Sequence, residues 1–293
     1  MTAGLVTVHR LAVWCPRGRI ARPDRAAGRR TTDVRPVVDS EVAVTGSIGS
    51  VLVAAGALGV AGVLAATLAG GVAQGTVGFG AAFATVPALA LTVPELLPGA
   101  MLVAALPLTA LMAWLERRRL DTSMARRLIV GRLPGLALGT GVVVVVDVRW
   151  LTAIVAVILL AAVAASASGW QMTVTPRREL VAGIASGFTG AATALGGPPL
   201  AILYRHHDPG VLRPTLSVVW AVGIVLTLSG LGLTGSFTVT QAAVGLALAV
   251  LLLLGLLVGR VVVRRVSVER IRTAILAWAA VGGSAALVRA VLG

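Results

Sequence analysis

Lysine is absent from this chain, and cysteine occurs once, at Cys15. A single thiol excludes an internal disulfide and cannot build a zinc site of several thiolates. Acids are few: 11 Asp and Glu stand against 25 basic residues, and charged residues of both signs make up 12% of the 293. With 57% apolar residues and a mean hydropathy of +0.96, a water-soluble fold is excluded. Chemical signatures are missing too. There is no Walker phosphate loop, no helical HExxH and no GxSxG, so ATPase, zincin and serine-hydrolase machinery have no support.

What is present is a series of stretches free of Asp, Glu and Arg: 42–94, 96–115, 133–146, 150–176, 180–204, 214–259 and 273–288. A bilayer crossing needs about 20 apolar helical residues, so these stretches hold about eight hydrophobic segments. Runs such as 246–258 are apolar on every face, which a transmembrane barrel strand is not. The expectation is an all-α, polytopic integral membrane protein.

The net charge of +14 does not point to nucleic acid. Beyond residue 46 the arginines lie mostly at segment ends, where anionic lipid and the positive-inside rule account for them. Trp114, Trp150, Trp170 and Trp220 read as interface anchors. Residues 1–46 hold eight Arg and four acids without a packing periodicity, and read as a flexible cytoplasmic tail. Arg29 and Arg30 lack the hydrophobic residues that follow a twin-arginine signal.

A duplication is visible beyond the tail. Gly75, Gly78 and Pro87 recur 112 residues later as Gly187, Gly190 and Pro199. Gly135 and Gly139 recur 120 later as Gly255 and Gly259, and Thr152-Ala153-Ile154 recurs 121 later at 273–275. Arginine alternates between the copies: loop 116–127 is Arg-rich and its counterpart near 234–241 is not, whereas 260–272 is Arg-rich and 147–149 has only Arg149. Copies inserted in opposite senses have this pattern. The expected organisation is a tail, 1–46, and two inverted transmembrane repeats, 47–170 and 171–293.

Placing Arg178 and Arg213 on one side requires an even number of crossings between them, yet 180–204 is long enough for one helix. The chain is therefore expected to fold back within the membrane at 187–199, and its counterpart at 75–87 to do the same. Gly costs about 1 kcal/mol and Pro about 3 in a helix, and packing of small residues gives no reason for Gly196-Gly197-Pro198-Pro199. Opened helix ends present N–H groups that can hold an anion without a buried Arg or Lys. The candidate substrate-binding residues are Gln74, Gly75, Thr76, Gly78, Gly80, Pro87, Ser186, Gly187, Thr189, Gly190, Thr193, Gly196, Gly197, Pro198 and Pro199. Thr76, Thr189 and Thr193 are expected to orient the anion. No acid falls inside an apolar span, and His206, His207 and Asp208 lack a third ligand for a metal.

On Gly-x-x-Gly-x-Gly with Pro at 75–87, and Gly-x-x-Gly followed by Gly-Gly-Pro-Pro at 187–199, the chain resembles the sulfite exporter TauE/SafE family of membrane transporters. Asp121 after the Arg-rich turn and the Gly135/Gly139 spacing add to the likeness, which covers about residues 50–293. Ala81 and Ala82 depart from the family's more glycine-rich first motif. The resemblance implies a multi-pass permease of the bacterial cytoplasmic membrane moving sulfite, sulfonates or related small anions. No catalytic residue, metal or cofactor is expected. The expected partners are a small anionic solute and membrane lipid, with no nucleic acid and with homo-oligomerisation open. Two other classes stand beside it: a membrane-embedded lipid-modifying enzyme, and a non-transporting subunit of a larger complex.

Overall fold

Ten helices account for nearly all of the residues that the computed structural model describes, 35–77, 80–168, 173–204, 207–262 and 267–292, and no strand occurs among them. They are α1 (Arg35–Val77), α2 (Ala81–Thr92), α3 (Gly99–Leu115), α4 (Thr122–Val145), α5 (Val148–Ala167), α6 (Pro176–Thr193), α7 (Pro198–Leu203), α8 (Pro209–Leu233), α9 (Val239–Val262) and α10 (Val268–Leu292). Among the described residues six spans are long and apolar enough to cross a bilayer, and two shorter apolar helices, α2 and α3, accompany them. The chain is a polytopic helical membrane protein.

Helix α1 begins at Arg35, inside the segment expected to be an unstructured tail. After Pro36, whose fixed φ suits a helix start, no glycine or proline intervenes before Gly46, so nothing in the local sequence stops a helix there. Gly56, at φ 65 and ψ 163, then kinks α1. Residues 1–34 lie outside the described residues.

Two helical hairpins organise the bundle. After α1 the chain turns back through Gly80, at φ 140, a value that suits glycine. Helix α2 then runs antiparallel to α1: a Cβ on Gly70 would lie 2.8 Å from the Ala81 carbonyl, and one on Gly59 would lie 3.0 Å from Thr92. The second hairpin closes similarly. Helix α6 ends at Ala194 in the left-handed region, φ 60, and residues 195–197 return so that Gly196 stands beside Ser186. Helix α7 continues until the Tyr204 hydroxyl donates to Glu179 at 2.7 Å. Tyr204 and the α6 N-terminus therefore share one end of the bundle, as the arginine pattern required.

That end also gathers Arg119 against Gly210, Arg127 paired with Glu179 at 3.0 Å and Arg272 donating to the Ser166 carbonyl. The opposite end holds Arg149, which caps α10 through the Ala290 and Val291 carbonyls, and Arg289 against Leu91. Trp114 and Trp150 are exposed near helix ends, where an interface anchor belongs. Trp220 is different: it sits within α8 and faces an internal cavity, and Trp170 is outside the described residues.

Glycine contacts set the helix registers. Gly71 and Gly75 of α1 lie on Leu252, Gly255, Leu256 and Gly259 of α9, whereas Gly183 and Gly187 of α6 lie on Gly131, Arg132 and Leu136 of α4. The two contacts are built alike, and backbones meet closely because no Cβ intervenes. In register, the places of Gly255 and Gly259 are held by Gly131 and Gly135. The expected match to Gly135 and Gly139 is displaced by one helical turn, since Gly131, Gly135 and Gly139 of α4 are spaced by four. Arg132 consequently occupies the place that Leu256 holds on α9.

Candidate anion-binding site

Between the two hairpin breaks lies a cavity of about 90 Å³, several times the 10–15 Å³ or so that one water needs. Gly80 to Phe83 form one wall and Ala194 to Pro198 the facing one; α3 adds Met101, Leu102, Ala105, Leu108 and Thr109, and α8 adds Trp220, Gly223, Ile224 and Thr227. Gln74, Arg132 and Gly190 complete it.

Arg132 is the residue that sequence reasoning missed. It lies within the span Thr122–Val145 and is only 3% exposed. The guanidinium is seated among glycines: its Nη2 lies 2.8 Å from a Cβ built on Gly190, 3.3 Å from one on Gly196 and 2.9 Å from one on Gly223. Any side chain at these three positions would crowd the charge. Nη1 donates to Ser186 Oγ at 3.0 Å, and that hydroxyl donates onward to the Gly196 carbonyl. Nε has no partner. The ion pairs among the described residues, Arg127–Glu179 and Arg272–Glu269, do not include Arg132. A buried cation in a membrane span without a carboxylate is costly and calls for an anion.

Trp220 Nε1 is likewise buried without a partner. Indole N–H and guanidinium N–H only donate, so both orphaned groups of this cavity ask for an acceptor. Helix α2 starts at the cavity with no side-chain cap, which adds the partial positive charge of a helix N-terminus.

Of the residues expected to bind substrate, Gln74, Gly80, Gly190, Gly196, Gly197 and Pro198 line this cavity. Gln74 Oε1 accepts the Ala81 N–H at 3.3 Å and so ties the first break to α1. Ser186 holds the second break and orients Arg132. The others stand elsewhere. Gly75 and Gly187 are helix-packing glycines, and Pro87 packs on Gly282 of α10. Thr76 donates to the carbonyls of Val72 and Ala73 in its own helix, Thr189 to Ala185, and Thr193 to Thr189. These hydroxyls serve the backbone, so they do not orient a ligand in this arrangement. Thr189 and Pro199 face a separate apolar groove between α5 and α6. Gly78 is outside the described residues.

Helix α7 opens with Pro198 and Pro199, which have no N–H. The N–H groups at the second break are those of the residues before the prolines, and the Arg132 side chain adds a full positive charge beside them.

A helical membrane bundle with two broken hairpins meeting at a cation-bearing cavity has the build of a solute transporter. The family model described as Sulfite exporter TauE/SafE matches residues 62–286. The chain belongs to this family of membrane transporters. Neither a curated protein nor a solved structure matches it.

Proposed function

We propose that the protein carries a small oxoanion, sulfite or a sulfonate, across the bacterial cytoplasmic membrane by alternating access. The cavity between the two breaks is the binding site. Residues 47–170 and 171–293 act as two inverted copies that rock about it. The reciprocal packing of α1 on α9 and α6 on α4 supports that division.

One observation carries the reading: Arg132, buried in a membrane span, faces the cavity with Nε unpartnered. An oxoanion would satisfy Nε and Nη2 together through two oxygens, the geometry that makes arginine suited to sulfonate-like groups. Ser186 fixes the guanidinium by accepting from Nη1, and the Gly196 carbonyl fixes Ser186 in turn. Anion occupancy is thereby linked to the position of the second break.

Flux of radiolabelled sulfite or methanesulfonate into proteoliposomes tests the site. A Cβ on Gly197 has only Trp220 Cζ2 nearby, at 3.7 Å, so Gly197→Leu should fold while its side chain fills the cavity and stops flux. Undiminished flux in that variant would remove the site from the proposal.

A further inference from the structure

We infer that the cavity selects monoanions over dianions. The inference rests on the transport reading above and adds the charge of the solute. Among the described residues that line the cavity, Arg132 is the one charged side chain, and Gln74, Thr109, Thr227 and the indole N–H of Trp220 are the polar neutral groups. Thr109 and Thr227 already donate to their own helices.

The duplication does not supply a second cation. Where Gly187 of α6 meets the Arg132 backbone, Gly75 of α1 meets that of Leu256, and Leu256 is buried and apolar. The two halves thus differ at the decisive position. A singly charged oxoanion against one guanidinium gives a neutral pair in a low-dielectric interior. A dianion would leave one negative charge uncompensated, relieved only by the partial charge at the α2 N-terminus. The remaining wall, with Phe83, Met101, Leu108 and Ile224, receives a small alkyl group; beyond Arg132 the lining offers a second anionic group only neutral donors such as the Trp220 N–H and no cation. The solute class that fits is a short alkylsulfonate or hydrogensulfite, with sulfate and disulfonates rejected.

The test uses full-length protein in proteoliposomes, with uptake of labelled methanesulfonate competed by unlabelled methanesulfonate, sulfate or methanedisulfonate. The expected result is that both dianions compete at least about tenfold more weakly than methanesulfonate. A second arm follows sulfite uptake as the pH falls through the range where sulfite takes up a proton. Uptake should rise with the hydrogensulfite fraction while methanesulfonate uptake stays level. Equal competition by sulfate, or sulfite uptake that rises with pH, overturns the monoanion inference; if that uptake still depends on Arg132, judged with Arg132→Gln, the transport reading stands. Absence of methanesulfonate and sulfite uptake by the wild type, equal to that of Arg132→Gln, overturns both.

Discussion

Replacing Arg132 with methionine should weaken anion binding strongly at little cost to the fold. An arginine at the centre of a membrane helix costs about 2.5–3.5 kcal/mol, which the substitution relieves. It gives up one charge-assisted hydrogen bond, to Ser186, worth about 1.5–3 kcal/mol. It also leaves the cradle of Gly190, Gly196 and Gly223 underfilled, at about 1 kcal/mol. These contributions cancel to within about 2 kcal/mol of the wild type. An arginine held in a buried ion pair behaves otherwise, since breaking such a pair costs about 3–5 kcal/mol. Anion affinity should fall by the 2–5 kcal/mol or so of a lost buried charge contact, which is about 30-fold to 5,000-fold. Unfolding of the purified protein in detergent gives the first quantity and equilibrium binding of methanesulfonate the second. A destabilisation above about 3 kcal/mol with affinity unchanged would refute the reasoning, because Arg132 would then be a structural cation with a protein partner.

Four further outcomes follow from the same contacts. A Cβ on Gly135 would collide with the Ile184 carbonyl, and one on Gly259 would lie 2.5 Å from the Val72 carbonyl, so either Gly→Ala change should destabilise by about 1–3 kcal/mol. Gly62→Ala, with nothing within 4 Å, should be tolerated; thermal unfolding compares the three, and equal midpoints would contradict the packing described. Tyr204→Phe and Glu179→Ala should couple by about 0.5–3 kcal/mol in a double-mutant cycle, since they remove the two ends of one buried hydrogen bond; additive effects would mean that the hairpin end is open. The Asp121 carboxylate accepts from the Met124 N–H and the Ser123 hydroxyl, which hold its pKa below the ordinary 3.8. Its contribution is present at neutral pH and is lost as pH falls through that lowered value, so Asp121→Asn should lose less stability on acidification than the wild type, and superimposable midpoint-versus-pH curves would contradict this. In a Cys15→Ser background, single cysteines at Ser123 and Arg270 should label from one side of the membrane and a cysteine at Ser236 from the other; a common side would contradict the helix order.

Much of the fold is legible in the sequence because bilayer physics acts on composition and charge. The even crossing count demanded by Arg178 and Arg213 places a fold-back before Tyr204, and Tyr204 does return to Glu179 at the start of α6. The breaks are narrower than the motifs that announce them. Gly187 and Gly190 lie inside α6, because a glycine needed for close helix packing and a glycine needed for a turn look the same in one dimension. Arg132 was hidden by the search for charge-free stretches, which makes any arginine a boundary. Yet the stretch 133–146 is shorter than the roughly 20 residues a crossing needs, so the helix had to extend back through Arg132. That deficit was the available signal. Thr76, Thr189 and Thr193 misled for a related reason: a threonine hydroxyl in a helix is readily satisfied by the carbonyl four residues earlier.

The central claim is that the buried guanidinium between the two hairpin breaks is the counter-charge of the transported solute. A structure of the protein soaked with bromomethanesulfonate, read by the anomalous signal of bromine, tests it most directly. The account places the sulfonate oxygens within hydrogen-bond reach of Arg132 Nε and Nη2, with the bromine toward Phe83 and Ile224. Occupancy at the Arg-rich membrane face with the cavity filled only by water would contradict it.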